Sequence, residues 1–147
     1  MDLKFQVQLK IQRPVTEVFD GVVNPAKLSG YFVQKSSGPL REGTTVQWTF
    51  AEVPGEHDVV VRQVVPNERI VFEWASASES GARTTVEMQF VPLDARATMV
   101  RISESGWRET PAGLAASYDN CGGWMHMALC LKAYLEHGIN LRAGGAF

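Results

Sequence analysis

At 147 residues, 45 % of them hydrophobic and 20 % charged, the chain has the length of one domain, read here as residues 1–147, and can bury about two thirds of its unfolded surface without a metal or a disulfide. Its formal net charge is −2, from 14 basic and 16 acidic residues dispersed without runs, which leaves no basic stripe for nucleic acid and no polybasic patch for a membrane surface. No stretch approaches the roughly 20 apolar residues that span a bilayer, so the cytoplasm is the expected compartment.

Leu3, Phe5, Val7, Leu9 and Ile11 alternate with Lys4, Gln6, Gln8, Lys10 and Gln12. This is the period of a strand with one dry face, and it reads as a strand, not a leader. Pro14 ends it and opens a short helix in which Val15, Val18, Phe19 and Val22 share a face. Asn24-Pro25 breaks that helix; a second short piece, Pro25 to Ser29, leads into Tyr31-Phe32-Val33, whose aromatic rings are expected to fold back over the core. Ser36-Ser37-Gly38-Pro39 and Glu42-Gly43 read as turns, after which the period of two returns in Val46, Trp48 and Phe50.

Val53-Pro54-Gly55-Glu56 supplies a tight connection into a strand from His57 to Val65. Pro66-Asn67-Glu68 turns into Arg69 to Ala75, with Ile70, Phe72 and Trp74 on one side. Ser76 to Ala82 is a small, polar hairpin loop; Val86, Met88 and Phe90 continue the alternation; Pro92-Leu93-Asp94 is a turn; and Thr98, Val100, Ile102 and Glu104 close the pattern. The sum is six strands, mostly in an antiparallel meander because the connections are short.

Gly106 to Gly113 reads as a loop, and Ser117 to Leu141 as one long helix capped at Asp119 or Asn120. At 100° per residue, Trp124, Met127, Ala128, Leu131, Tyr134, Leu135, Ile139 and Leu141 form one stripe, with Lys132, Glu136, Asn140, His126 and His137 opposite. Gly122-Gly123 is unusual inside a helix, each glycine costing about 1 kcal/mol against alanine; either the helix begins after the pair or a neighbour packs closely there. Cys121 and Cys130 lie nine residues apart, about 13 Å along a helix. They are too far apart for a disulfide and read as reduced thiols.

The segments PVTEVF (14–19), LSGYF (28–32), VVPNERIVFEW (64–74), VRISESGW (100–107) and GWMHMALCLKAYL (123–135), in this order of elements, resemble the successive signatures of the START-like polyketide cyclase and lipid-transfer (SRPBCC) superfamily. Within it they most resemble the branch of homologues of the activator of the heat-shock-protein-90 ATPase. The resemblance covers nearly the whole chain. It implies an α+β helix-grip fold, in which a curved, mainly antiparallel sheet wraps a long C-terminal helix, and a cavity between the two for a small apolar or amphipathic molecule such as a lipid. A heat-shock chaperone is the partner implied by the proteins that name the branch.

Three functional readings follow. The first is a ligand-binding protein, with apolar walls from Trp48, Phe72, Trp74, Met88, Trp124, Ala128 and Leu131 and polar selection by Glu104 and by Tyr31 or Tyr118. The second is a cyclase- or hydratase-like enzyme. Glu104 continues the inward phase of Val100 and Ile102 toward the expected cavity mouth, where a carboxylate can serve as general acid or base. The third is a protein-interaction module related to co-chaperones, with an exposed apolar patch in place of a cavity.

Other constellations carry less. His126 and Cys130 are spaced as half a zinc site, but no second pair completes it. His57 with Asp58 or Glu56 lacks a nucleophile elbow, and the glycine pairs lack a phosphate-loop lysine. Neither a cofactor nor a metal is expected. Met125 and Leu129, off the main stripe, point to a second-chain contact and hence a homodimer, unless a loop covers them.

Overall fold

The N-terminal alternation becomes β1 (Leu3–Ile11), followed by α1 (Val15–Val23) and α2 (Pro25–Leu28), in a computed structural model that describes residues 1–147. Asn24 closes α1 and opens α2, its side chain accepting from the Ala26 amide at 3.0 Å. The remaining strands are β2 (Lys35–Ser36), β3 (Thr45–Thr49), β4 (Glu56–Val65), β5 (Arg69–Ala75), β6 (Arg83–Asp94) and β7 (Ala97–Trp107), and α3 (Pro111–His137) completes the fold.

All strands join one antiparallel sheet in the order β1-β7-β6-β5-β4-β3-β2. The expected α+β grip of a sheet on a C-terminal helix is present, with seven strands where the sequence suggested six. The extra strand is β2, whose two residues pair with Thr49 and Trp48. Two residues cannot display a period of two, and Ser36 sits among turn-forming neighbours, so only the pairing reveals it. Pro92 lies inside β6, not in a turn, at a register irregularity where a missing N–H is tolerated. Asn67 carries the β4–β5 turn with φ of 63°, a left-handed conformation that asparagine accepts.

The largest departure concerns α3, which starts at Pro111 and not near Ser117. Thr110 caps it by accepting from the Gly113 amide at 3.0 Å, with Pro111 in the first helical position. Gly113 is required there because a Cβ would sit 2.0 Å from the Arg108 carbonyl oxygen. Gly138, at φ of 67°, ends the helix before Ile139 and Leu141, which are therefore exposed and do not continue the buried stripe.

Inside, Trp124, Met127, Ala128 and Leu131 join a single buried cluster with Trp48, Phe72, Met88 and Ile102. Cys130, one helical turn from His126, is fully buried, whereas His137 is exposed. Both cysteines are free. No helix is long and apolar enough to cross a membrane.

The C-terminal half of α3 is tied to the end of β1 by polar contacts. Lys132 donates to the Lys10 carbonyl at 2.8 Å, and Glu136 accepts from the Gln12 amide at 2.9 Å and from Lys132 at 2.6 Å. Burial pushes the Glu136 carboxyl up, but the Lys132 and Gln12 hydrogen bonds and the Lys132 and His137 charges outweigh it and hold it below its ordinary 4.5. A carboxyl lowered in the folded state contributes stability above the unfolded value and loses it as pH falls through the folded one. Stability should therefore decline on acidification below about pH 4.5. Glu136→Gln should make that decline shallower, as read from urea midpoints between about pH 6 and about pH 3; an unchanged slope would remove Glu136 from the linkage. The slope cannot vanish, because Glu52 and Glu73 are also held low.

Candidate functional site

Register builds the polar centre of the site. Trp74 on β5 pairs with Thr84 on β6, and Glu104 on β7 pairs with Val86, two residues from Thr84 on the same face. Asn120 and Trp124, one helical turn apart on α3, face this row from above. All four side chains donate to the Glu104 carboxylate: Trp124 Nε1 at 2.8 Å, Trp74 Nε1 at 3.0 Å, Thr84 Oγ1 at 2.5 Å, and Asn120 Nδ2 to both oxygens at 3.1 Å. A deprotonated carboxylate is acceptor-only with room for about four such donors, so the set satisfies it without a cation. Glu104 is 1 % exposed.

On the other side of this network lies a hollow of about 280 Å³, open to solvent and lined by Phe32, Phe50, Val53, Trp74, Asp119, Asn120, Gly123, Trp124, Arg142 and Phe147. Its walls are aromatic. Trp74 and Trp124 have ring centroids 5.3 Å apart, Phe32 and Trp124 5.7 Å, and Phe32 and Phe50 5.2 Å, with interplanar angles of 34°, 43° and 70°. Gly123 leaves room: a Cβ there would meet no heavy atom within 4 Å, so neither expected explanation of the glycine pair holds. The helix runs straight through it and no neighbour presses on it.

The segment after α3 closes one side. The Arg142 guanidinium donates to Glu52 at 2.8 Å and lies over the rings of Phe32 (5.6 Å) and Phe147 (5.7 Å). The Ala146 amide also donates to Glu52, at 3.2 Å. Burial pushes the Glu52 carboxyl up, yet its hydrogen bonds with Arg142 and with its own and the Ala146 amide, together with the Arg142 charge, bring it below its ordinary value.

Of the residues expected at a ligand site, Trp74 and Trp124 line the hollow. Trp48, Phe72, Met88, Ala128 and Leu131 do not; they are at most 1 % exposed and pack the core. Glu104 stands behind the wall and not at the mouth, because Trp74, Asn120 and Trp124 come between it and the hollow. Tyr31 is equally internal, its hydroxyl donating to the Gly21 carbonyl at 2.9 Å, and burial raises its phenol well above the ordinary range. Tyr118 is 69 % exposed and lies outside the hollow. Phe32, Phe50, Asn120, Gly123, Arg142 and Phe147 do not stand out as site residues in the sequence. Phe50 continues the inward phase of Val46 and Trp48, a usable signal, whereas Arg142 and Phe147 follow the helix and carry none.

The sequence model of one family, described as Activator of Hsp90 ATPase homolog 1-like protein, matches residues 12–136. No curated protein matches in sequence. Among solved structures, protein SSP2350 from Staphylococcus saprophyticus is similar with 27 % identity and a TM-score of 0.77, over 97 % of this chain and 96 % of that one. DynU16, a protein in the dynemicin biosynthetic locus, is similar with 25 % identity and a TM-score of 0.79 over 94 % of this chain but 49 % of its own, so the chain spans about half its length. The Aha1 dimer from Colwellia psychrerythraea shares the fold at 24 % identity and a TM-score of 0.75, over 92 % of this chain and 97 % of that one.

Proposed function

Because the chain belongs to the family of Activator of Hsp90 ATPase homolog 1-like proteins, a branch with the START-like fold, we propose that it is a binding protein for a small apolar or amphipathic molecule. The molecule is held in the hollow between Trp74, Trp124, Phe32 and Phe50. The observation that carries this reading is the unfilled space over Gly123, bounded by aromatic rings. A hollow of about 280 Å³ is at the low end of small-molecule sites, which begin near about 300 Å³. The ligand body is accordingly small, at most two or three rings or a short chain, with each methylene taken out of water contributing about 0.8 kcal/mol. Two unpaired thiols favour a reducing compartment, and the cytoplasm is part of this reading.

Enzymatic use of Glu104 is the less supported alternative, since five hydrogen bonds from four side chains occupy its oxygens. Self-association is a compatible second property. Leu114, Tyr118 and Leu129, which are 39 %, 69 % and 42 % exposed, share one face of α3 with Met125, an apolar stripe of the kind that second copies cover.

The test fills the hollow. Gly123→Leu places a side chain where nothing obstructs it and raises helix propensity by up to about 1 kcal/mol. The variant should therefore remain at least as stable while its affinity for the neutral fluorophore N-phenyl-1-naphthylamine drops by roughly tenfold or more. Equal binding by both proteins would end the proposal. Native mass spectra of the same preparations read retained small molecules and dimer mass together. Loss of the dimer on Leu129→Glu supports the helix stripe as the contact, and a monomer throughout rejects it.

A further inference from the structure

Deepening the binding reading on which it rests, we infer that the hollow selects an organic cation: a protonated amine carried on a small apolar or aromatic body. The basis is the direction of the polar groups around it. Both indoles in the wall give their only N–H to Glu104, as does the Asn120 amide nitrogen. The indole donors of the wall are thereby spent on Glu104, and Asn120 keeps one amide N–H beside its carbonyl. The lining also holds two free acceptors, Asn120 Oδ1, to which no donor is assigned, and the Asp119 carboxylate, which is exposed and paired with no cation.

Arg142 is the one cation in the lining, and it is already neutralised by Glu52, the two side chains being 11 % and 8 % exposed. The balance of charge left for a ligand is therefore negative. An anion would meet Asp119 unopposed unless Arg142 released Glu52.

The aromatic geometry supports the same choice. Cations are attracted to ring faces within about 6 Å of the centroid, most strongly to tryptophan. Donation of both indole N–H groups into a carboxylate polarises the rings toward greater electron density, which strengthens that attraction. The wall already shows this behaviour toward the chain's own guanidinium, which rests over Phe32 at 5.6 Å. An ammonium headgroup seated against Trp74 and Trp124 would have Asp119 and Asn120 Oδ1 as acceptors for its N–H groups.

The experiment compares three probes with a common phenyl body by calorimetric titration: phenethylammonium, neutral 2-phenylethanol and anionic 3-phenylpropionate. The cation is expected to bind at least tenfold tighter than the alcohol and the anion weakest. Asp119→Asn, which removes the charge and keeps the size of a lining side chain, should weaken the cation severalfold more than it weakens the alcohol. Equal affinity for cation and alcohol would overturn the inference and leave an apolar binding site standing. Preference for the anion would overturn it in favour of Arg142 as the selecting group. If none of the three binds, and N-phenyl-1-naphthylamine does not bind either, the binding reading itself falls with it.

Discussion

Glu104→Ala is expected to lose roughly 2–6 kcal/mol of stability, the largest effect of any single polar substitution in this protein. Thr84 and Trp124, 1 % and 2 % exposed, would each lose the acceptor that satisfies them, at about 1–3 kcal/mol per buried donor. Trp74 and Asn120 border the hollow, where water can replace the carboxylate, and add less. Against a typical domain stability of about 5–15 kcal/mol, such a loss leaves a variant close to the edge of folding.

Glu104→Gln keeps the volume but brings an amide NH₂ against a ring of donors. Only Thr84 Oγ1 and a flipped Asn120 can turn to accept from it. It should cost about 1–3 kcal/mol and fold, which gives a measurable variant should alanine fail. Urea unfolding of both, followed by tryptophan fluorescence, reads the result directly. An alanine variant within about 0.5 kcal/mol of the parent protein would show that the network contributes nothing to stability.

Trp124→Ala should cost about 3–5 kcal/mol, the range for removing a buried aromatic side chain, and should also abolish binding of the neutral fluorophore. Its indole packs on Trp74, Phe32 and Phe72 at 5.3, 5.7 and 6.1 Å between centroids and anchors itself on Glu104. Trp124→Phe separates these roles, keeping a ring and deleting only the donor. The phenylalanine change should be the milder, at about 1–2 kcal/mol.

Combined with Glu104→Gln it should cost less than the sum of the two. The phenylalanine removes one of the donors that the glutamine amide cannot accept, and residues in direct contact couple by about 0.5–3 kcal/mol. Strict additivity in that cycle would mean that the Trp124–Glu104 hydrogen bond carries no energy of its own.

The two centres of the molecule, the Glu104 network and the hollow, share Trp74, Asn120 and Trp124, so one serves the other. The network holds the aromatic wall rigid and turns its donors inward. Under the proposed function, a ligand would meet ring surface, Asp119 and Asn120. In the proposed binding reading, the polar cluster that first suggests catalysis is scaffolding for the wall.

Much of the fold is legible in the spacing of apolar residues. The alternation of Leu3 to Ile11, the face shared by Val18, Phe19 and Val22, and the stripe of Trp124, Met127, Ala128 and Leu131 all lie where their periods place them. The inward phase of Val100, Ile102 and Glu104 is likewise correct. Gly106 to Gly113 has no period and contains a proline, and so reads as a loop, whereas Thr110 and Pro111 are the cap and first residue of α3. The reason glycine occurs at 113, the nearby Arg108 carbonyl, is a contact and not a pattern.

By itself, then, the order of residues decided the class of fold, the buried face of most elements and the carboxylate that would lie inside, because periodicity follows from the covalent pitch of strands and helices. Only the tertiary structure decided what surrounds that carboxylate and where space is left. Thr84, Asn120 and Trp124 are separated from Glu104 by 16 to 20 residues and converge through strand register and the seating of α3. The hollow arises where Phe32, Phe50 and Arg142, from three separate segments, fail to fill the room over Gly123. Close packing between elements depends on their relative placement, which no local period records.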